Sequence, residues 1–429
     1  MRSWLTMVMV LALPGVALAG HEATTRRVSV SPDGKSGNNR SFGCDVSRGA
    51  RAVAFDSFAS NLVPGDTNAE SDVFVADASG AVERVSVTPS GRQSQSSSEF
   101  PAVSDSGRIV AFVSQTYDMG PRGNRNRRMT VYVHDRKTGR TARASDRSDG
   151  KRAIGHAYDV SISSSGRLVA FVSNAPDLAM KGDDNGVDDV FVHDRRTGKT
   201  NRVSLSRTLD DVNHDSTAPA ISGNGRYVAF ASWGTNLVRR DRDSELDVFV
   251  YDRLERRNDL VSVTTEGKKG SDYSFDPSIS ADGRYVAFAS YASLTDDDAT
   301  GVDIYLHDRV SGTTEHVSVG YRGAANGDSE RPSISADGRY VAFTSLADNL
   351  IEGDTNGVMD VFVRDRVSQT PVRVSVGDEG QEGDRPSWAP PALSPDGQYA
   401  CWMSADQNLD DTEDTGEAED IFLRGPLWD

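Results

Sequence analysis

Apolar and polar positions along the chain run in short alternating bursts, and the bursts repeat. Ser280-Ala-Asp-Gly-Arg-Tyr-Val-Ala-Phe-Ala-Ser290 recurs almost unchanged as Ser335-Ala-Asp-Gly-Arg-Tyr-Val-Ala-Phe-Thr-Ser345. Looser copies are Ser47–Ser57, Ser104–Ser114, Ser163–Ser173, Ser222–Ser232 and Ser394–Ser404, seven in all, starting 55 to 59 residues apart. A period of this length marks one supersecondary unit stacked many times. In the copy around Ser280, Asp276 to Ser280 predicts a short strand. Ala281-Asp-Gly-Arg284 predicts a tight turn, because Asp-Gly accepts positive φ between strands. Arg284 to Ser290 predicts a second strand, Asp303 to His307 a third, Asp308 to Gly312 another hairpin turn, and Thr313 to Val319 a fourth strand. A polar segment, Gly320 to Arg331, leads to the next unit, and no helical period interrupts the pattern.

The second strand is apolar on both sides, with Val286 and Phe288 on one and Ala287 and Ala289 on the other. A sheet with one solvated face would alternate apolar and polar residues. Apolar residues on both faces place each sheet between two others. The expected fold class is therefore all-β: a seven-bladed β-propeller of four-stranded antiparallel blades. A linear stack would leave two bare apolar ends, and no capping segment is evident. The last unit reaches its third strand at Asp420-Ile-Phe-Leu423 and lacks a fourth. The missing strand has a counterpart near the other end. Arg26-Arg-Val-Ser-Val30 matches the fourth strands Arg84-Val-Ser-Val87, Arg202-Val-Ser-Leu205 and Arg373-Val-Ser-Val376. The ring is expected to close with this N-terminal strand completing the last blade.

Composition refines the picture. The 429 residues would suggest two or three domains by length, but seven units sharing neighbours form one, over residues 20–429. Apolar residues make up 37% and charged residues 26%, which fits a globular chain. A net charge of −17 argues against nucleic-acid binding, which needs a basic face, and against adsorption to anionic lipid. Residues 1–19 read as a cleaved secretory signal: Arg2, an apolar run from Leu5 to Val16, then Ala17-Leu18-Ala19. The run is too short to span a membrane, and the mature chain is expected to be periplasmic or secreted, monomeric and not membrane-inserted. Its two cysteines, Cys44 and Cys401, fall in the first strand of blade one and the second strand of blade seven, neighbours across the closure seam. They are either two buried thiols or a disulfide that staples the ring.

Turns after strands one and three are short, whereas connections after strands two and four are long and polar. In a propeller these two sets emerge on opposite faces, so binding residues are expected on the long-loop face. The loop entering strand three carries the pattern D-x-[ND]-x-x-x-D. It appears as Asp66, Asn68 and Asp72, as Asp183, Asn185 and Asp189, as Asp241, Asp243 and Asp247, and as Asp354, Asn356 and Asp360. Blade five keeps Asp297 and Asp303 around Ala299, and blade seven keeps Asp414 and Asp420 around Gly416. Blade two has Asn124, Asn126 and Thr130, interleaved with Arg122, Arg125, Arg127 and Arg128, which read as a lost site or a local anion contact. Oxygen ligands at alternate loop positions suit Ca2+, although backbone carbonyls and waters would have to complete its shell. Alternatively, these residues cap turns through side-chain-to-backbone hydrogen bonds. His134, His193 and His307 share one place in strand three, a repeat position rather than a cluster, and His156 and His214 fall singly in loops. No nucleophile elbow, zinc-protease motif or phosphate-binding glycine loop occurs.

The unit Ser-x-Asp-Gly-Arg-Tyr-Val-Ala-Phe-x-Ser, an acidic loop, then Asp-Val-Phe-Val-x-Asp resembles the WD40-like (PD40) repeat of TolB-type propellers. It is clearest in Ser280–Asp308 and Ser335–Asp365 and extends over about residues 26–424. The resemblance implies a propeller without fixing an activity. Such blades also occur in non-catalytic domains of oligopeptidases and in some polysaccharide lyases. The chain departs from TolB in showing seven blades rather than six and no N-terminal α/β domain, so a Tol–Pal role is not carried over. The expected function is an exported, non-catalytic scaffold that binds a protein or glycan through its acidic long-loop face, with no catalytic residues and with Ca2+ as the candidate cofactor. The alternative is an enzyme of polysaccharide-lyase or hydrolase type, with its site at the mouth of the central channel. Converging His, Arg and acidic residues there would favour the enzyme.

Overall fold

A computed structural model describes residues 23–116, 119, 128–178, 185–296, 301–387, 389–412 and 418–428. The expected signal segment, residues 1–19, lies outside them, as do Asn124, Asn126, Asp183, Asp297, Ala299, Asp414 and Gly416. Among the described residues there are seven four-stranded antiparallel sheets and one small two-stranded hairpin. Among the described residues no helix is long and apolar enough to cross a membrane.

The sheets are blades of a ring. Their innermost strands are Ser41–Val46, Ser98–Val103, Ala157–Ile162, Ser216–Ile221, Ser274–Ile279, Ser329–Ile334 and Ala392–Leu393. Burial on both faces of the second strand is why the ring forms. Val286 and Phe288 pack with Ala229, Val248 and Val250 of blade four, whereas Ala287 and Ala289 pack with Val341 and Phe343 of blade six. Stacked aromatic pairs such as Phe230 with Phe249 and Phe343 with Phe362 join strands two and three inside a blade. Outer strands are shorter than the sequence predicts: in blade five the ladder runs over Thr313–His316 rather than to Val319. Beyond it the Ser318 hydroxyl, not a backbone carbonyl, accepts the N–H of Ile304 at 2.9 Å. Val319–Gly320 then turns back onto Gly323–Ala324.

On the short-turn face the Asp-Gly turn is fixed twice over. Gly283 and Gly338 have φ of +78° and +75°, and a Cβ on either would lie 2.1 and 2.2 Å from the ring of Tyr227 or Tyr285 in the preceding blade. Glycine thus supplies both the turn and the close approach of the blades. A circuit of backbone bonds follows the channel rim, from Arg48 N to Asp105 O, Asp105 N to Ser164 O, Ser164 N to Gly223 O, Asn224 N to Ala281 O, Ala281 N to Ala336 O and Ala336 N to Pro395 O. Proline has no N–H, so blade seven cannot pass the circuit to blade one.

Other devices close that seam. Thr24–Arg27 pairs antiparallel with Asp420–Gly425, with Arg27 opposite Phe422, so the N-terminal strand is the fourth strand of blade seven. Cys44 and Cys401 are joined in a disulfide, with Cα atoms 6.4 Å apart. Of the two cysteine readings the structure takes the staple, and no free cysteine remains.

Deleting residues 20–32 is expected to lower the melting temperature of the whole ring in one cooperative transition, because it bares the outer edge of blade seven. A truncated chain melting with the parent would refute closure by this strand. The bridge spans 357 residues of sequence. Loop-closure entropy for such a span is on the order of 6 kcal/mol, so reduction should lower the urea midpoint measurably.

Candidate functional site

The long-loop face is built on one repeated hub. Its centre is the first residue of strand three, the last aspartate of each sequence-nominated triplet. Asp72 accepts the Ser86 hydroxyl at 2.5 Å, Asp247 that of Ser262 at 2.7 Å, Asp303 that of Ser318 at 2.6 Å, Asp360 that of Ser375 at 2.5 Å and Asp420 that of Ser29 at 2.5 Å. Ser204 donates likewise to Asp189. The same serines accept a strand-three N–H, as in Val361 to Ser375 at 3.0 Å, so one hydroxyl ties the carboxylate to the sheet.

A buried carboxylate also needs a countercharge. The outer strand provides one two residues before the serine. Nη1 of Arg84 lies 3.3 Å from both Asp66 and Asp72. Nη1 of Arg202 lies 3.1 Å from Asp189, that of Arg373 3.1 Å from Asp354 and 3.5 Å from Asp360, and that of Arg27 2.7 Å from Asp420. In blade five the partner of Asp303 is His316, at 3.0 Å. Blade four has Leu260 at this position, and Lys269 of the following loop substitutes, 2.8 Å from Asp243 and 3.0 Å from Asp247.

The nominated metal ligands among the described residues are thus brought together, with a cation of the protein beside them. Asn68, Asn185 and Asn356 donate to the hub aspartate, at 3.1, 3.4 and 2.8 Å, and also to loop carbonyls. Their own amide oxygens accept loop N–H groups two residues on, from Glu70, Val187 and Val358. The arginines and serines were the part that motif reading missed. Their signal lies in Arg84-Val-Ser86 and its copies, the same residues that mark the fourth strands.

Blade four stands apart. Asp241, Asp243 and Asp247 present carboxylate oxygens within 4.8 Å of one another. Asp241 is buried, and neither of its oxygens has a hydrogen-bond partner among the described residues. Burial, then the charge of Asp247, pushes its carboxyl up to about 7.

A cavity of about 360 Å3 runs down the central channel, lined by the innermost strands of all seven blades and by Pro101, Pro277, Pro332 and Pro390. Each complete inner strand bulges, with Phe100, Asp159, Ala218, Asp276 and Arg331 in the left-handed region, and Gly43 at the equivalent place in blade one. Three aspartates of the inner and second strands, Asp45, Asp56 and Asp159, stitch neighbouring blades together. Asp45 accepts the N–H of Val103 at 2.6 Å, Asp56 that of Phe100 at 3.2 Å and Asp159 that of Ala218 at 2.9 Å. Ser161, Ser278 and Ser333 accept from Ile221, Ile334 and Leu393 in the same manner. Burial pushes Asp45 and Asp159 up to about 6 and Asp56 to about 7. His134, His193 and His307 sit away from the channel, each bonded through Nδ1 to a threonine hydroxyl of its outer strand.

These features define a seven-bladed β-propeller with a locked short-turn face and a variable long-loop face. No protein-family model and no curated protein matches the chain. Solved structures do. An oligogalacturonate lyase in complex with manganese is similar over 94% of this chain and 93% of its own, at 12% identity and a TM-score of 0.55. The β-propeller domain of the Trilobed protease from Pyrococcus furiosus is similar over 90% and 94%, at 10% identity and a TM-score of 0.54. TolB from Acinetobacter baumannii is matched over 79% of this chain and 65% of its own, at 17% identity and a TM-score of 0.43. At these identities the likeness establishes the fold alone.

Replacing Arg373 by Leu leaves Asp354, Asp360 and Glu382 without their shared cation and should cost about 3–5 kcal/mol in urea unfolding. Adding Asp360→Thr, the residue of blade two, should recover part of that loss. A single variant as stable as the parent would make the guanidinium a spectator.

The channel carboxylates give a second expectation. Their folded pKa values lie above the unfolded one, so folding takes up protons between about pH 4 and 7 and stability falls as pH rises through that window. Asp135 and Asp365, held at about 2 by Arg108 and Arg339, lose their contribution only in stronger acid. The melting temperature should be higher at about pH 5.5 than at about pH 8.5, and Asp56→Asn should narrow the difference. An unchanged difference in that variant would count against Asp56.

Proposed function

We propose that this protein is an exported, non-catalytic binding propeller that presents its long-loop face to a protein or glycan. The observation that carries the reading is the use made of the channel acids. Asp45, Asp56 and Asp159 each accept an N–H group of the next blade, so closing the ring is a sufficient reason for their burial. Opposite them, the short-turn face is spent on structure. Arg108, Arg167, Arg226, Arg284 and Arg339 each pair with the aspartate at the end of strand three. Variation between blades is concentrated in the long loops, which supports that face as the one that recognises a partner.

Capture of an envelope partner by the mature chain tests this. Arg239→Glu with Arg242→Glu on the long-loop face should release it, whereas Val310→Ser with Val367→Ser on the opposite face should not. The reverse result would reassign the face. Accumulation of unsaturated product from oligogalacturonate, followed by ultraviolet absorbance, would overturn the non-catalytic reading in favour of a lyase.

Calcium belongs to this proposal at blade four. Asp241, Asp243 and Asp247 converge there, and Asp241 lacks a hydrogen-bond partner among the described residues. Lys269, a single flexible ammonium, is the easiest of the hub cations to displace. Millimolar calcium should raise the melting temperature of the mature chain and leave Asp241→Asn unmoved. No shift in the parent, with calcium or with chelator, would remove the metal from the proposal.

A further inference from the structure

Blade two breaks the hub in the opposite sense from blade four. It keeps the outer-strand guanidinium, Arg143, but Thr130 stands where the six other blades carry aspartate. Ser145 still accepts the strand-three N–H, from Val131 at 3.1 Å, so the backbone frame is intact and only the carboxylate is missing. The consequence falls on one atom. In blades one, three, six and seven it is Nη1 of the arginine that meets the hub aspartate. In blade two Nη1 of Arg143 is buried with no hydrogen-bond partner among the described residues. The side chain is 7% exposed, and its Nε is engaged by Asp146 at 2.9 and 3.1 Å.

Beside it lies a pocket of about 350 Å3 on the long-loop face, lined by Arg143, Arg128, Arg152, Thr130, Asp146 and Ile154 among others. Three guanidinium groups against one carboxylate make its wall cationic, in a chain of net charge −17. A buried guanidinium with an unmet donor costs free energy that an oxyanion at the place of the lost carboxylate would recover.

We propose that this pocket binds a small oxyanion group, a carboxylate, sulfate or phosphate, with Arg143 as its anchor. The oxyanion takes the role that the strand-three aspartate plays in the other blades. This ligand class rests on reading the long-loop face as the binding face. It can fail on its own terms, because its test uses isolated protein and simple anions while the face is tested by partner capture.

The mature chain is titrated at low ionic strength with inorganic phosphate, sulfate and galacturonic acid, by calorimetry and by thermal melting. Chloride at matched ionic strength separates recognition from screening. At least one oxyanion should bind saturably and raise the melting temperature above the chloride control, and the three arms show which geometry is preferred. Arg143→Leu, the residue blade four carries as Leu260, should fold and weaken binding at least tenfold. Thr130→Asp restores the internal partner and should raise the melting temperature without anion while abolishing the response. Binding no stronger than chloride, or a response that survives in both variants, would overturn the assignment.

Discussion

Each blade is a sheet that is apolar on both faces, and everything else follows from having to cover both. Val286 and Phe288 face one neighbour, Ala287 and Ala289 the other, and no blade can satisfy itself alone. Stacking solves the problem for interior blades, and only closure solves it for the first and last. The seam between blades seven and one is therefore the point on which the ring depends. It is also where the rim circuit of backbone bonds fails, at Pro395. The chain reinforces it with a strand from the opposite end of the sequence and with the Cys44–Cys401 bridge.

Closure creates a second requirement. Strands that converge on a channel carry edge N–H groups that no further strand can pair, and these groups are buried. Side chains of the preceding blade accept them: carboxylates in blades one and three, serine hydroxyls in blades three, five and six. The bulges in the inner strands bring those acceptors into reach. Acids at the channel thus arise from the geometry of the ring, which weakens their use as a mark of catalysis.

Polar hubs on the long-loop face obey the same economy of satisfied groups. An aspartate at the start of strand three anchors a serine, an asparagine and a cation, and the ring repeats this arrangement with small substitutions. Substitutions are informative because the frame does not move. Where arginine becomes Leu260, a lysine arrives from the next loop; where aspartate becomes Thr130, an arginine is left with a donor unmet among the described residues. Candidate ligand sites are thus found at blades whose own residues no longer balance.

The sequence alone determined the blade count, the four-strand unit, the two unequal faces and the closing strand. All of these follow from period, two-sided apolarity and turn chemistry, which are local properties that repetition makes unambiguous. It also brought Cys44 and Cys401 to one seam without deciding whether they bond. It nominated Asp66, Asp72, Asp354 and Asp360 as calcium ligands or turn caps but gave no sign that a guanidinium stands beside them. That group lies on a different strand of the same blade, where Arg84 and Arg373 reach back across the outer hairpin. Only the tertiary structure joins them, because pairing between strands is set by the register of the ladder and not by spacing along the chain. Likewise, the Nη1 of Arg143, without a hydrogen-bond partner among the described residues, is invisible in a sequence that reads simply as arginine. It becomes evident once six other blades supply the position its partner should occupy.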